Sequence, residues 1–165
     1  MSLLLDPHVL LWLLTGDPRL GSGSRGAIEA AARVLVSAAS LWEVAIKAGL
    51  GRLTVPNDLP GVVERSGLEP LPVTAAHAWG VRRLVGLEHR DPFDRMLLTQ
   101  AGLEGLSFLT VDGAILAAAD RIEPRVGVLD ARQPSDGPDD TFVYDPNDPV
   151  PSLGGGLCCL TLGFY

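Results

Sequence analysis

The chain has 165 residues, a formal net charge of −7 at pH 7, 47% hydrophobic residues and 5% aromatic residues. This length suits one domain with a sizeable core, and the composition excludes a disordered chain. The acidic charge argues against a protein that binds nucleic acid through a strongly basic surface. However, residues 133–165 hold five Asp and no Lys or Arg, so residues 1–132 carry 15 acidic against 13 basic side chains.

Short β-type runs alternate with longer helical patterns along most of the chain. Apolar runs predict strands at 2–5, 34–37, 69–72, 107–110 and 126–129. Helical spacing of apolar residues predicts helices at 8–14, 24–33, 40–48, 59–66, 74–86, 93–104 and 113–119. This alternation is typical of βαβ units, so we expect an α/β fold with a mostly parallel central sheet.

The opening run MSLLLDPHVLLWLL is apolar, but it resembles neither a signal peptide nor a membrane span. No basic segment precedes it, Asp6, Pro7 and His8 interrupt it, and it is shorter than the ~20 apolar residues that cross a bilayer. The two cysteines, Cys158 and Cys159, are adjacent and provide neither a disulfide framework nor a zinc-ligand spacing. We therefore expect a cytoplasmic protein without a membrane partner.

The composition changes at Gln133 to Pro, Gly, Asp and Ser, and the periodicity ends there. We therefore predict a domain at 1–132 followed by an irregular tail at 133–165. The tail stretch FVYDPNDPVPSLGGG resembles a short segment of cocaine-esterase-like hydrolases, and a gene fusion or read-through C-terminus would account for it. Since the nucleophile motif G-x-S-x-G of such enzymes is absent from the chain, we expect no esterase activity.

Four acidic side chains occur where an α/β fold could bring them together. Asp6 directly follows the first strand, and Asp112 lies two residues after the fourth, so both belong to the carboxyl edge of a parallel sheet, where ligands usually bind. Glu43 and Asp94 lie in helices expected to begin near that edge. Carboxylates gathered in one pocket repel one another unless cations neutralise them. A site that offers carboxylate oxygens and has no group of Cys or His ligands favours Mg²⁺ or Mn²⁺.

Such a site suits phosphodiester hydrolysis, because bound metal ions can generate a hydroxide nucleophile, hold the scissile phosphate and neutralise the leaving oxygen. We therefore predict a single set of metal-binding and catalytic residues, consisting of Asp6, Glu43, Asp94 and Asp112. No covalent nucleophile is needed.

Each of these acids also has a purely structural interpretation. Ser40 and Glu43 have the spacing of a capping box, in which Glu43 would bond the start of its own helix. Asp91 has the position of a helix N-cap, and Asp94 would lie in the first turn, where the helix dipole favours an acid. An Asp after a strand is also a common turn former. Only the joint pattern indicates a metal site.

Four segments, in this order, resemble VapC-like PIN-domain toxins of prokaryotic type II toxin–antitoxin systems: LLLDPHVLLWLL, SLWEVAIKAGLGRL, HRDPFDRMLLTQA and LTVD. The resemblance extends from about residue 2 to residue 131. It implies a three-layer α/β/α sandwich, Mg²⁺-dependent endoribonuclease activity on RNA, a homodimer and a cognate antitoxin protein.

The resemblance also assigns roles to individual residues. The four predicted acids, Asp6, Glu43, Asp94 and Asp112, take the places of the family's metal-binding acids. Thr110 matches the hydroxyl residue near them, and Asp91 matches a further acid common in the subgroup.

One position departs from the family pattern. Pro7 stands where Thr usually follows the first Asp, which removes a hydroxyl and a backbone N–H and fixes φ near ~−65°. The fold is expected to tolerate this residue. The departure keeps a second interpretation open, a catalytically impaired PIN fold that acts as a protein- or RNA-binding module.

The remaining aromatic and basic residues carry simpler expectations. The tryptophans are expected to anchor the core or an interface rather than to stack on bases, and they are Trp12, Trp42 and Trp79. The histidines lack partners at ligand spacing and are expected to be ordinary helix or surface residues, with His89 a candidate phosphate contact; they are His8, His77 and His89. Basic side chains that could make the surface locally positive are Lys47, Arg52, Arg90 and Arg95. Arg95 could also orient a carboxylate.

Overall fold

The computed structural model describes residues 1–88 and 91–132. Its strands are β1 (Ser2–Leu5), β2 (Arg33–Ser37), β3 (Glu69–Leu71), β4 (Ser107–Thr110) and β5 (Gly127–Asp130). They form one sheet in the order β3-β2-β1-β4-β5, and every neighbouring pair is parallel. The strand bounds lie within one residue of those predicted, which confirms the parallel sheet.

Helices connect the strands as the periodicity predicted. They are α1 (Pro7–Thr15), α2 (Ser22–Ala30), α3 (Ala38–Gly49), α4 (Leu59–Arg65), α5 (Ala75–Gly80), α6 (Pro92–Glu104) and α7 (Gly113–Ala118), with a short 3-10 helix at Val81–Arg83. No helix in the described ranges is long and apolar enough to cross a membrane.

Alternate strand residues point to opposite faces of the sheet and divide the core in two. Leu4, Leu35 and Phe108 pack on one face with the buried sides of α3, α6 and α7. Leu3 and Leu109 pack on the other face with α1, α2 and α4. Helices therefore cover both faces, and the expected three-layer α/β/α sandwich is confirmed.

The predicted helix at 74–86 is shorter than its apolar pattern suggested. Thr74 caps α5, and the side chain of His77 completes a capping box. The regular helix ends at Gly80, and Val85 instead forms an isolated antiparallel bridge with Glu123. Gly86 then adopts a positive φ of 86°, a conformation that glycine allows without strain. The bridge is a long-range contact, which helical periodicity does not reveal.

The described chain ends close to the sheet. Arg132 forms an isolated antiparallel bridge with Leu20 just after β5. Three parts of the sequence prediction lie outside the described residues: the tail at 133–165 with its two cysteines, His89, and Arg90. The domain boundary after Arg132 therefore stays a prediction.

Candidate functional site

The candidate site lies where the strand order of the sheet reverses. The chain leaves β1 toward β2 on one side of the sheet and leaves β4 toward β5 on the other, which opens a crevice at their carboxyl ends. A cleft of about 270 Å³ lies at this edge. Its lining includes all four predicted acids, Asp6, Glu43, Asp94 and Asp112, together with Asp91.

Asp6 is almost fully buried, with 3% of its surface exposed, and its carboxylate is held from two sides. Oδ1 accepts the backbone N–H of His8 at 2.8 Å, which caps α1, and Oδ2 accepts the hydroxyl of Thr110 at 2.8 Å. The same Thr110 oxygen accepts the backbone N–H of Asp112 at 3.0 Å. Thr110 therefore links the acids that follow β1 and β4 and fixes the orientation of Asp6.

Two more acids of the cleft also cap helices. Asp112 accepts the backbone N–H of Ile115 at 2.9 Å at the start of α7, and Asp91 accepts that of Phe93 at 2.8 Å at the start of α6. These bonds agree with the structural interpretation of such acids as caps and turn formers. A carboxylate has about four acceptor positions, so a capping bond leaves capacity for a cation. The structural and metal-binding roles are thus compatible.

The capping-box interpretation of Glu43 is wrong. The helix α3 begins at Ala38, and its cap is Ser37, whose hydroxyl accepts the N–H of Ala39 at 2.9 Å. Glu43 therefore lies beyond the first turn. Its carboxylate forms an ion pair with Nζ of Lys47 at 2.7 Å, one helical turn along, and both side chains line the cleft.

The environment of the cleft strongly perturbs the pKa of Asp94. Burial raises the pKa of Asp94 to about 8, and the negative charge of Asp91 and those of the other three predicted acids add to the effect. Repulsion among the acids, which the sequence predicted, thus favours a neutral Asp94 near pH 7. The hydrogen bond with Asp6 raises the pKa of the His8 ring above its ordinary value.

The cleft offers carboxylate oxygens as metal ligands, and these are the ligands that Mg²⁺ and Mn²⁺ prefer. Across residues 1–88 and 91–132, however, no group of three or more His, Cys, Asp or Glu side chains is arranged so that it could hold a metal ion. Glu43 is paired with Lys47 and would have to turn away from it to reach a shared cation. The cleft therefore has the chemistry for a divalent cation, and ligation would require side-chain movement.

Several side chains of the cleft were not predicted as site residues. His8, expected to be an ordinary helix residue, lines it beside Asp6, and the other additional lining residues are Pro7, Trp12, Arg19, Lys47, Val111, Gly113 and Arg132. Lys47 has a local sequence signal, its spacing of four residues from Glu43 on one helix. For Arg132 no local signal exists, because a strand of another part of the chain brings it to the site.

The structure also bears on other expectations about individual residues. Trp12 is buried at 6% exposure and belongs to the core, whereas Trp42 and Trp79 are 63% and 71% exposed, so for these two only the expected role as interface anchors remains a prediction. Arg95 donates to the carbonyl of Leu84 at 2.8 Å, so it supports the backbone before α6 rather than a carboxylate of the cleft. His77 is buried, with Nε2 3.0 Å from Glu104.

Comparison with known proteins is consistent with this architecture. A family model described as "PIN domain" matches residues 3–121. VapBC2 from Rickettsia felis, solved with a promoter DNA fragment, has a TM-score of 0.58 at 15% identity over 79% of this chain and 98% of that one. DNA-bound VapBC from Salmonella typhimurium has a TM-score of 0.56 at 22% identity over the same shares.

A toxin–antitoxin complex from Klebsiella pneumoniae has a TM-score of 0.54 at 18% identity, over 80% of this chain and 99% of that one. At these identities the similarity establishes a common fold. No curated protein matches the chain.

Proposed function

Since the chain belongs to the PIN domain family, we propose that it is a metal-dependent endoribonuclease and the toxin of a type II toxin–antitoxin system. The observation that carries the proposal is the convergence of Asp6, Glu43, Asp94 and Asp112 on one cleft at the reversal of strand order. These four acids are proposed as the ligands of Mg²⁺ or Mn²⁺.

A bound divalent cation would supply activated water and charge neutralisation at the scissile phosphate. The chain's own residues supply the geometry. Thr110 and the start of α1 hold Asp6 in one orientation, so little ordering of this carboxylate is needed on binding. The pKa of Asp94, raised to about 8, favours its neutral form near pH 7, and a bound cation would favour the carboxylate instead.

Three cations border the acids and suit the phosphates of an RNA strand. Lys47 lies on the α3 side of the cleft, while Arg19 and Arg132 contribute to its lining from other segments. Each has an acidic neighbour: Lys47 pairs with Glu43, and Arg19 and Arg132 pair with Asp17 and Asp130. The cleft thus combines an acidic centre with a cationic border despite the acidic net charge of the chain. This arrangement supports a nucleic-acid strand as the substrate class, and RNA is the member of that class that we propose.

An antitoxin protein is the proposed partner, because neighbours in fold are described as VapBC and as a toxin–antitoxin complex. A homodimer is proposed on a different ground. Trp42 and Ile46 of α3 and Leu50 at its C-cap follow one another at a spacing of four residues and are 63%, 41% and 62% exposed. An apolar stripe of this kind on a helix is typical of a protein–protein contact.

The alternative, a catalytically impaired PIN fold that binds protein or RNA, rests on Pro7. In the structure Pro7 occupies the first turn of α1 directly after the cap Asp6, a position that suits proline because its missing N–H would have no partner in the helix. Pro7 is therefore compatible with the fold. The expected effect of Pro7 is the loss of the threonine hydroxyl and of the backbone N–H beside the cleft.

The test uses the purified full-length chain, free of any antitoxin, and a panel of structured RNAs in Mg²⁺, in Mn²⁺ and in EDTA. We expect cleavage only with metal, and we expect Asp94→Asn to abolish it by removing a charged ligand. Asp120→Asn, the same substitution at an exposed residue outside the cleft, is the matched control and should cleave normally. Cleavage unaffected by EDTA would reject the metal mechanism, and no cleavage of any RNA would favour the binding module.

A further inference from the structure

A second cavity adjoins the cleft and has a different chemical character. Its volume is about 210 Å³, and it is lined by Pro7, His8, Leu11, Val44, Lys47, Arg52 and Leu53. Pro7, His8 and Lys47 line both cavities, so the second one opens directly beside the catalytic acids. None of the four acids belongs to its lining.

The turn after α3 shapes this cavity. Leu11 of α1 and Val44 of α3 are buried and form its apolar part. Two residues after α3 ends at Gly49, Gly51 adopts a positive φ of 69°, and the chain folds back so that the N–H of Arg52 donates to the carbonyl of Lys47 at 2.9 Å. Arg52 and Leu53 are thereby brought to the wall that Lys47 already lines.

The size and lining fit one aromatic ring system with a phosphate beside it. An apolar cavity of ~150 Å³ is enough to hold benzene, so about 210 Å³ suits a single heterocycle better than an extended peptide. Lys47 and Arg52 are cations next to an apolar wall, which is the combination that stacks or encloses a base and neutralises its phosphate.

We propose that this cavity, the Arg52 pocket, binds the base of one nucleotide next to the scissile phosphate and sets a sequence preference at that position. The proposal rests on the proposed ribonuclease function. Its charged side chains, Lys47 and Arg52, are donors without acceptor atoms. They favour bases that carry a carbonyl oxygen where adenine and cytosine carry an amino group, so guanine (O6) or uracil (O4) is preferred over adenine or cytosine.

The first experiment cleaves a random single-stranded RNA library in Mg²⁺ and sequences the ends. The wild-type chain should show a preference of ~5-fold or more for guanine or uracil at one position beside the cut. Leu53→Trp, which fills the cavity from its partly exposed loop, should remove the preference at that position while cutting continues. The same preference in both proteins would overturn the pocket and leave the proposed nuclease function intact.

The second experiment does not depend on cleavage. It measures binding of a fluorescent single-stranded oligoribonucleotide by anisotropy in EDTA over a range of salt concentrations. Arg52→Glu should weaken binding by ~5-fold or more and make the salt dependence shallower. Arg83→Glu is the matched control, since Arg83 is exposed on the 3-10 helix and lines neither cavity, and it should bind like wild type.

The two experiments separate the two hypotheses. If wild type fails to cleave the library in Mg²⁺ but Arg52→Glu selectively weakens RNA binding, the nuclease proposal fails and the pocket stands as a nucleotide site. Equal affinities of wild type, Arg52→Glu and Arg83→Glu would overturn the pocket. So would competition by an acidic peptide but not by guanosine or uridine monophosphate, because the cavity would then be a protein contact.

Discussion

Neutralising Asp94 should stabilise the metal-free protein, and the effect should depend on pH. The pKa of Asp94 rises from an ordinary value of 3.8 to about 8, mainly through burial. Between these values the unfolded chain has released the proton while the folded chain keeps it, so the free energy of unfolding falls as pH rises from about 4 to about 8.

The size of this effect follows from the same numbers. At ~1.4 kcal/mol per pH unit the penalty reaches an upper bound of about 6 kcal/mol. Since water reaches this partly buried carboxylate and screens it, we expect about 1–3 kcal/mol at pH 8. Asn at position 94 cannot ionise, so the melting temperature of Asp94→Asn should be a few degrees above that of wild type. For a chain of this size, 2 kcal/mol corresponds to about 6 °C.

Thermal melts of wild type and Asp94→Asn in EDTA at pH 5, 6.5 and 8 provide the measurement. The difference should be largest at pH 8 and small at pH 5, and Mg²⁺ should raise the melting temperature of wild type more than that of the variant. Asp120→Asn, exposed and outside the cleft, should show no such trend. If Asp94→Asn melts lower than wild type at every pH, Asp94 acts as a first-turn helix acid, whose loss costs ~0.3–1 kcal/mol, and the repulsion argument is wrong.

Four further predictions follow from individual contacts. Thr110→Val should destabilise the chain by ~1–3 kcal/mol in urea unfolding, because buried Asp6 loses its hydroxyl donor; an unchanged midpoint would mean that water replaces it. Pro7→Thr should keep the fold and raise RNA turnover in Mg²⁺, and equal turnover would show that Pro7 is harmless. Ending the chain after Arg132 should leave the melting temperature and cleavage unchanged, whereas a drop of several degrees would place part of the tail on the core. Trp42→Glu should convert the proposed dimer to a monomer in sedimentation experiments, and a wild-type monomer would reject the dimer.

The sheet and half of the site could be predicted from local sequence alone. The central strands β1, β2 and β4 each contain a short, mostly apolar run with three consecutive buried residues, and burial on both faces requires such a run, so their positions were predicted accurately. Asp6 and Asp112 come directly after strands, and parallel strands end at one edge of the sheet. Their convergence therefore follows from chain order and the parallel arrangement.

Helix positions were predictable, but helix ends and caps were less so. Ser37 rather than Ser40 caps α3, because the strand β2 leads straight into the helix and Ser40 is buried within it. Ser37 and Ser40 are both residues that commonly cap a helix, so the local sequence does not distinguish them. The segment after α5 was likewise not predictable, because Val85 forms a bridge with Glu123, far along the chain.

The exposed residues of α3 show what helical periodicity can and cannot predict. Spacing shows that Trp42 and Ile46 share an apolar helix face, but not whether the same chain covers it. Only the packing of the helices leaves that face open.

Tertiary structure decided which distant segments contribute to the cleft and to the Arg52 pocket. The strand order, reversed at β1, brings Arg132 from the end of the domain beside Asp6 from its beginning. The turn at Gly51 places Arg52 next to Leu11 of α1. The local sequence determined which residues follow a strand or share a helix face, since these depend on neighbouring backbone geometry. Contacts between distant segments depend on how the whole sheet is ordered, and no short pattern specifies that order.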